Sequence, residues 1–322
     1  ALAAVGSAFT LMTFLTSIFL GLSMGSGALF SIYRGRGDES SLRLGIVHAF
    51  GLILCVTLML NAAVYLFLEP ILRFLQVPES VAPGMREYLL IIFAGLLATS
   101  LYNYLSCLLR ALGNSTVPLV FLAVSALLNI GLDLLCIIVF KWGVAGAAIS
   151  TLLSRVMAAA VMFALSLNRE RQLYVRPDQM TRFQPTLIGQ ILYIGIPSGI
   201  ENGIFELGRI VVVSMISTFG TVQIAANAVA NNLDGLGVLA GAAMNLAIFT
   251  VVGRCVGAHD NDQVRYYTRK LLKIEYAMMA VVNVVLLAAL PLILNLYTLS
   301  PASRELATQL IFIHDGFAML LW

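Results

Sequence analysis

Seven ionisable residues stand inside stretches that are otherwise apolar: Asp133, Arg155, Glu201, Glu206, Arg209, Asp234 and Asp315. Against lipid at a helix centre each costs about 2.5 to 3.5 kcal/mol on insertion scales, so they are expected to face protein, water or one another. Glu206 and Arg209 have the i, i+3 spacing that allows pairing on one helix face, whereas Glu201 lies about 140° around the helix from Glu206. Glu201 is therefore the freer acid. It stands beside Asn202 and one turn after Pro197, whose missing N–H predicts a bend or a local unwinding. Asp234 lies in the polar patch Asn231-Asn232-Leu233-Asp234-Gly235, and Asp315 follows His314. Asp133 comes one turn after Asn129 and reads first as a hydrogen-bond partner for another helix.

The chemistry open to these groups is ion exchange. Five acids and two arginines carry a net charge of −3, a sign that attracts cations and repels anions. A proton or sodium ion held at Glu201, Glu206 or Asp315 weakens the grip on an organic cation, and by linkage the cation weakens the grip on the ion. That reciprocity is antiport. Enzyme chemistry finds little support: the histidines are His48, His259 and His314, with no HExxH pair, and a membrane-embedded enzyme is the remote alternative. Cys55, Cys107, Cys136 and Cys255 lie in or beside apolar stretches without CxxC spacing, so neither a metal centre nor a disulfide frame is expected. Gly35-Arg36-Gly37-Asp38 is too short for a phosphate loop, and no cofactor is expected besides H+ or Na+ as coupling ion.

The elements that must hold these residues follow from composition. Of 322 residues, 60% are apolar and 11% charged, and the mean hydropathy is +0.94. Soluble domains carry about 25% charged residues, so a water-soluble enzyme is excluded. Apolar stretches run approximately over 8–32, 44–68, 88–110, 117–140, 143–167, 188–219, 222–253, 272–298 and 304–322, which predicts about nine transmembrane helices. The alternating pattern of an outer-membrane barrel is missing, which leaves an all-α integral membrane protein. Counting Lys and Arg in alternate loops puts thirteen on one side, Arg34, Arg110, Arg171 and Arg254 among them, and four on the other: Arg73, Arg86, Lys141 and Arg304. The richer side is expected to be cytoplasmic, in a cytoplasmic (plasma) membrane. The net charge of +3 is scattered, so no nucleic-acid partner is expected; the partners are the bilayer and cationic small molecules, and the protein is expected to be monomeric.

The chain repeats itself. Gly35, Asp38 and Arg43 recur as Gly257, Asp260 and Arg265, and Ala3 and Ala4 as Ala225 and Ala226, all 222 residues later; after one deletion Pro70 falls on Pro291 and Gly95 on Gly316. Two similarly oriented halves of six helices each are expected, with one helix before this chain and two after it. The N-terminal lobe is assigned to 1–167, a cytoplasmic linker to 168–187 and the C-terminal lobe to 188–322. Gly21 with Gly25, and Gly237 with Gly241, have the GxxxG spacing that lets helices approach closely.

With the turns Gly35 to Asp38 and Gly257 to Asp260, the segment Arg110-Ala-Leu-Gly-Asn114 with Pro118, Asn129 and Asp133, the run Gly143-Val-Ala-Gly-Ala-Ala148 and the stretch Gly195-Ile-Pro-Ser-Gly-Ile-Glu-Asn202, the sequence resembles the multidrug and toxic compound extrusion family, the MATE transporters. The resemblance covers the whole chain, including Thr218-Phe-Gly220 to Ala225-Ala-Asn227. It implies two pseudo-symmetric six-helix lobes, twelve spans in the full protein, of which this chain supplies the second to the tenth. It further implies secondary active efflux of organic cations and amphiphilic drugs, coupled to proton or sodium entry by alternating access. In the family's sodium-coupled branch a carboxylate stands on the tenth helix, where Asp315 lies, and another on the seventh about two turns past its proline, a position nearer Glu206 than Glu201. Glu201, Asn202, Glu206, Asp234 and Asp315 are accordingly the expected substrate or coupling-ion residues. Pro197, Arg209, Asn129, Asp133 and Arg155 are expected to be structural or gating. A flippase of lipid-linked oligosaccharide is the alternative; it requires an arginine-rich cavity, for which only Arg155 and Arg209 are available.

Overall fold

The computed structural model describes residues 2–74, 82–166, 184–297 and 299–321. Among them the chain is helical throughout, with no strand: α1 (Leu2–Arg36), α2 (Glu39–Phe74), α3 (Ala82–Ala94), α4 (Leu96–Ala111), α5 (Thr116–Asp133), α6 (Gly143–Ser166), α7 (Pro185–Ser217), α8 (Thr221–Gly237), α9 (Leu239–Gly257), α10 (Asn261–Leu294) and α11 (Pro301–Leu321). A π-helical turn, Leu134–Val139, follows α5 directly. α8 runs on into α9 and α3 into α4, so the described helices form nine rods in the order of the nine apolar stretches. Six of these rods are long and apolar enough to cross a bilayer, and the bent α3–α4 pair makes a seventh. The remaining two, α7 and α11, carry Glu201, Glu206 and Arg209, and Arg304, Glu305 and Asp315. α5 shows why lipid is the solvent: Leu119, Leu122, Leu127 and Ile130 are all at least half exposed, and only hydrocarbon accommodates such a face.

Three turns between helices share one construction. α1 ends in a Schellman motif: Gly37 N–H donates to Arg34 O at 3.3 Å and Asp38 N–H to Tyr33 O at 3.1 Å, with Gly37 at φ +73°. Asp38 then caps α2, its Oδ1 accepting from Ser41 N–H at 3.0 Å. At the repeat offset, His259 N–H donates to Val256 O and Asp260 N–H to Cys255 O, and Asp260 Oδ1 accepts from Gln263 N–H at 3.0 Å. The glycine of the first copy is replaced by His259, also left-handed at φ +57°. The third turn follows α4: Gly113 and Asn114 N–H donate to Arg110 O and Leu109 O, and Asn114 Oδ1 accepts from Val117 N–H at 3.1 Å. Landmarks visible in the sequence as Gly-Asp, His-Asp and Gly-Asn pairs are thus C′ and capping residues of hairpin turns between adjacent spans.

Packing divides the chain into two compact units, residues 1–206 and 207–322. In the first, α1 packs on α2 and α4, and α6 on α3, α4 and α5. The first half of α7 joins this unit through Leu187 and Ile191, which share a core with Phe30, Tyr104 and Leu108. Against α1 it packs backbone to backbone: a Cβ on Gly21 would lie 2.3 Å from Gly199 Cα, and one on Gly25 2.5 Å from Gly195 Cα. In the second unit α8, α10 and α11 pack mutually around Leu233, Leu286, Leu290 and Ile311, as α1, α2 and α3 do in the first. The proposed linker 168–187 falls for the most part, over 168–183, outside the described residues.

Two expectations are corrected in detail. The stretch 88–110 is not one straight helix: it bends by 45° at Gly95, where a side chain would collide with Leu152 Cδ1 at 2.6 Å. Pro197, expected to bend or unwind α7, leaves the helix unbroken. It is Pro70 that accompanies a kink, with Phe67 at φ −107°, ψ 16°, because the proline ring lacks an N–H and crowds the preceding turn.

Candidate functional site

In the second unit, α10 and α11 carry a buried group of oxygen acceptors to which few donors are offered. Asp315 is 2% exposed, and neither of its carboxylate oxygens has a hydrogen-bond partner among the described residues. Asn283 is 3% exposed; its Nδ2 donates to the backbone carbonyl of Asp315 at 3.2 Å, which turns its Oδ1 to the side, also buried and unpartnered. α8 closes this place with a glycine: a Cβ on Gly237 would lie 3.0 Å from both Asn283 Oδ1 and Asp315 Oδ1. Gly237 was expected to let two backbones approach; here it leaves room beside two polar side chains. Asp234 stands one turn earlier than Gly237 on α8, and His314, whose Nδ1 is buried without a partner among the described residues, precedes Asp315 in the chain.

An unsatisfied buried acceptor costs about 1 to 3 kcal/mol, and an uncompensated buried charge far more. Three such oxygens side by side form a set that a proton or a small hard cation would complete. No group of three or more His, Cys, Asp or Glu suited to a metal ion occurs among the described residues, so carboxylate and amide oxygens are the available ligands.

The first unit holds its polar residues differently. Asp133, where α5 widens into the π turn, accepts a short hydrogen bond from Ser150 Oγ on α6. Asn129 Nδ2 donates to Thr151 Oγ1 at 3.5 Å, and Arg155 Nη1 donates to Thr99 Oγ1 at 3.1 Å. Asn129, Thr151, Thr99 and Arg155 line a cavity of about 410 Å3, together with Asn103 and Tyr102. Among the described residues Arg155 is the one charged residue of that lining, a sign opposite to that expected of a net-negative chamber. On α7, Glu201 is exposed, Asn202 Nδ2 donates to Ser198 O of its own helix at 2.7 Å, Glu206 is half-buried and Arg209 exposed. Glu206 and Arg209 each have an interaction partner. Glu201 and Glu206 thus belong to the first unit, and Asp234 and Asp315 to the second.

Asn283 was missed in the sequence, although the signal was there: an amide inside Val281-Val282-Asn283-Val284-Val285 obeys the rule that singled out the seven charges. Glu275 on the same helix, 4% exposed, was missed likewise. Thr99 and Asn103 carry no such signal, since a hydroxyl or a single amide within α4 acquires meaning only from its neighbours.

Nine helical rods among the described residues, six of them long and apolar enough to cross a bilayer and a bent pair making a seventh, define a polytopic membrane protein. The chain belongs to the MatE family, whose model matches residues 1–135 and 197–314. It is an integral membrane protein, and its relatives are transporters, not enzymes. It is 30% identical over 265 residues to the probable multidrug resistance protein YpnP of Bacillus subtilis (strain 168), an alignment covering 82% of this chain and 59% of that protein. In fold it is similar to an outward-facing multidrug resistance MATE family transporter of the MOP superfamily, with TM-score 0.88 and 22% identity over 99% of this chain and 71% of the other. A second similar structure is a MOP superfamily transporter from Pyrococcus furiosus, described as having a binding pocket of reverse polarity that suggests a different function, with TM-score 0.89 and 21% identity over 99% and 72%. The chain spans 59% of the length of the first of these relatives.

Proposed function

We propose that the protein to which this chain belongs exports amphiphilic organic cations and drugs by secondary active antiport, exchanging them for H+ or Na+ through alternating access. The observation that carries this reading is the acceptor group of Asp315 and Asn283, buried and without donors among the described residues. A coupling ion bound there removes an unfavourable buried charge, so occupancy is linked to whatever else competes for the same negative field. Asp234 extends that field along α8. Glu201, Asn202 and Glu206 on α7 are proposed as further substrate or coupling-ion residues, and Pro197, Arg209, Asn129, Asp133 and Arg155 as structural or gating ones. The name of the Bacillus relative and the family membership support export of multiple compounds. The plasma membrane as location, the cytoplasmic linker and a monomeric state complete the reading.

The test is efflux of a fluorescent organic cation from cells or inverted vesicles holding the full-length protein, with proton and sodium gradients imposed separately. Asp315→Asn is expected to lower gradient-driven efflux at least tenfold at unchanged expression, and Glu201→Gln and Glu206→Gln report whether α7 shares the task. Wild-type rates in all three variants overturn the assignment.

A further inference from the structure

We infer that the basic and aromatic face at the start of α10 binds the headgroups of anionic phospholipids in the leaflet it meets. Between Asn261 and Lys273 stand four cations, Arg265, Arg269, Lys270 and Lys273, against one acid, Asp262. All four are exposed. At about 100° per residue, Arg265, Tyr266, Arg269, Lys270, Lys273 and Tyr276 fall within one sector of about 140° of the helix, and the buried Glu275 and Met279 lie outside it. Lys270 is set against Tyr266, its Nζ 5.3 Å from the ring centroid and donating to the hydroxyl at 3.2 Å.

The level of these residues along the helix matters as much as their face. α10 has 34 residues, which makes about 51 Å of helix against about 30 Å of hydrocarbon. Its apolar stretch starts near residue 272, so the cations occupy the turns at and just outside that boundary. Phosphates lie at this level, and tyrosine rings favour it because one end is apolar and the other polar. A group of about four to eight cations beside a span attracts anionic headgroups.

Repetition within the chain separates this feature from what the fold requires. α2 is the counterpart of α10 at the offset of 222 residues, with Arg43 answering to Arg265. The counterparts of Tyr266, Arg269, Lys270 and Lys273 are Leu44, Val47, His48 and Gly51. Arg43 pairs with Glu39 at 3.4 Å, whereas Asn261 takes the place of Glu39 in the second copy. The same helix is thus built without the stripe in the first unit, so packing does not call for it. Topology does not call for it either: with Arg265, Arg269 and Lys273 neutralised, ten of the thirteen Lys and Arg remain on that side against four on the other. The segment 168–187, on the same side, carries four arginines against Glu170 and Asp178, a net charge that the stripe repels.

The inference is independent of ion coupling at Asp315, and its test reads which lipids surround the helix, not transport. The full-length protein, with native cysteines replaced, carries a bimane fluorophore on Leu272→Cys, beside the stripe, or on Gly51→Cys, the counterpart of Lys273, whose Cβ meets nothing within 4 Å. In phosphatidylcholine nanodiscs, quenching by a minor fraction of brominated phosphatidylglycerol is compared with quenching by the same fraction of brominated phosphatidylcholine. At Leu272→Cys the phosphatidylglycerol is expected to quench at least twice as strongly, and at Gly51→Cys the two lipids equally. The excess is expected to vanish when Arg265→Gln, Arg269→Gln and Lys273→Gln are combined, and to survive Arg265→Lys with Arg269→Lys, which keep the charge. It is also expected to fade between about 0.05 M and about 0.5 M salt, as screening shortens the reach of the charges; this arm needs no change to the stripe and decides even where the Gln variant does not fold. Equal quenching by the two lipids at Leu272→Cys, the result that a surface kept for an acidic protein would give, overturns the inference. An excess as large at Gly51→Cys, or one that persists in the Gln variant or at high salt, overturns it as well.

Discussion

At the scale of single residues the capping aspartates show how much one side chain does between two spans. Asp38 accepts from the backbone of Ser41 and from the hydroxyl of Ser40 at 2.7 Å, and hydrogen bonding from Ser41 and Ser40 holds its carboxyl down at about 2. A carboxylate with a depressed folded-state pKa adds stability that is complete above its unfolded value and is lost as pH falls through the folded one. The contribution of Asp38 is therefore present above about pH 4 and disappears as pH approaches 2. Asp38→Ala is expected to lower stability by about 1 kcal/mol, read by thermal unfolding of the purified protein. Asp38→Asn, still an acceptor, is expected to keep the cap and to flatten the pH dependence between 4 and 2. The capping role was foreshadowed by the residue types, whereas the role of Asn283 was not, because an amide in an apolar run announces only that it needs a partner.

Among the elements, the crossing of α1 with α7 rests on two glycine pairs spaced by four residues. Gly21 and Gly25 on one helix and Gly195 and Gly199 on the other bring backbone against backbone, the small-residue packing on which membrane helices rely in the absence of a hydrophobic driving force. Gly21→Leu, whose Cβ would lie 2.3 Å from Gly199 Cα, is expected to force the helices apart and to cost at least about 1 to 3 kcal/mol, seen as a fall in unfolding temperature or in yield. Gly131→Ala, where a Cβ meets nothing within 4 Å, is expected to be neutral or stabilising by up to about 1 kcal/mol; a loss there as large as at Gly21 contradicts this account of the packing. Both spacings are plain in the sequence. That they face one another is not, because periodicity defines a helix face and says nothing of its neighbour. The bend at Gly95, where Leu152 leaves no room for a side chain, and the uninterrupted helix through Pro197 are likewise not legible in the spacing.

For the molecule as a whole, the three Schellman turns after α1, α4 and α9 all fall on the side to which the arginine count assigns the cytoplasm. With the native cysteines replaced, Arg36→Cys and Ala258→Cys are expected to resist a membrane-impermeant maleimide added to intact cells, and Trp142→Cys and Leu296→Cys to react; the opposite pattern inverts the topology. What composition and spacing determined on their own was the solvent of the fold, the nine rods in order, and the duplicated turns at an offset of 222 residues, since a bilayer leaves a chain of this hydropathy no alternative to helices that satisfy their own backbone. Tertiary structure alone decided which polar groups share a place: Asp315 with Asn283 beside Gly237, Asp133 with Ser150, and Arg155 with Thr99. The reason is physical. The cost of a charge in lipid is a property of one residue and is legible one residue at a time, but its relief depends on groups brought from other helices, dozens of positions away along the chain.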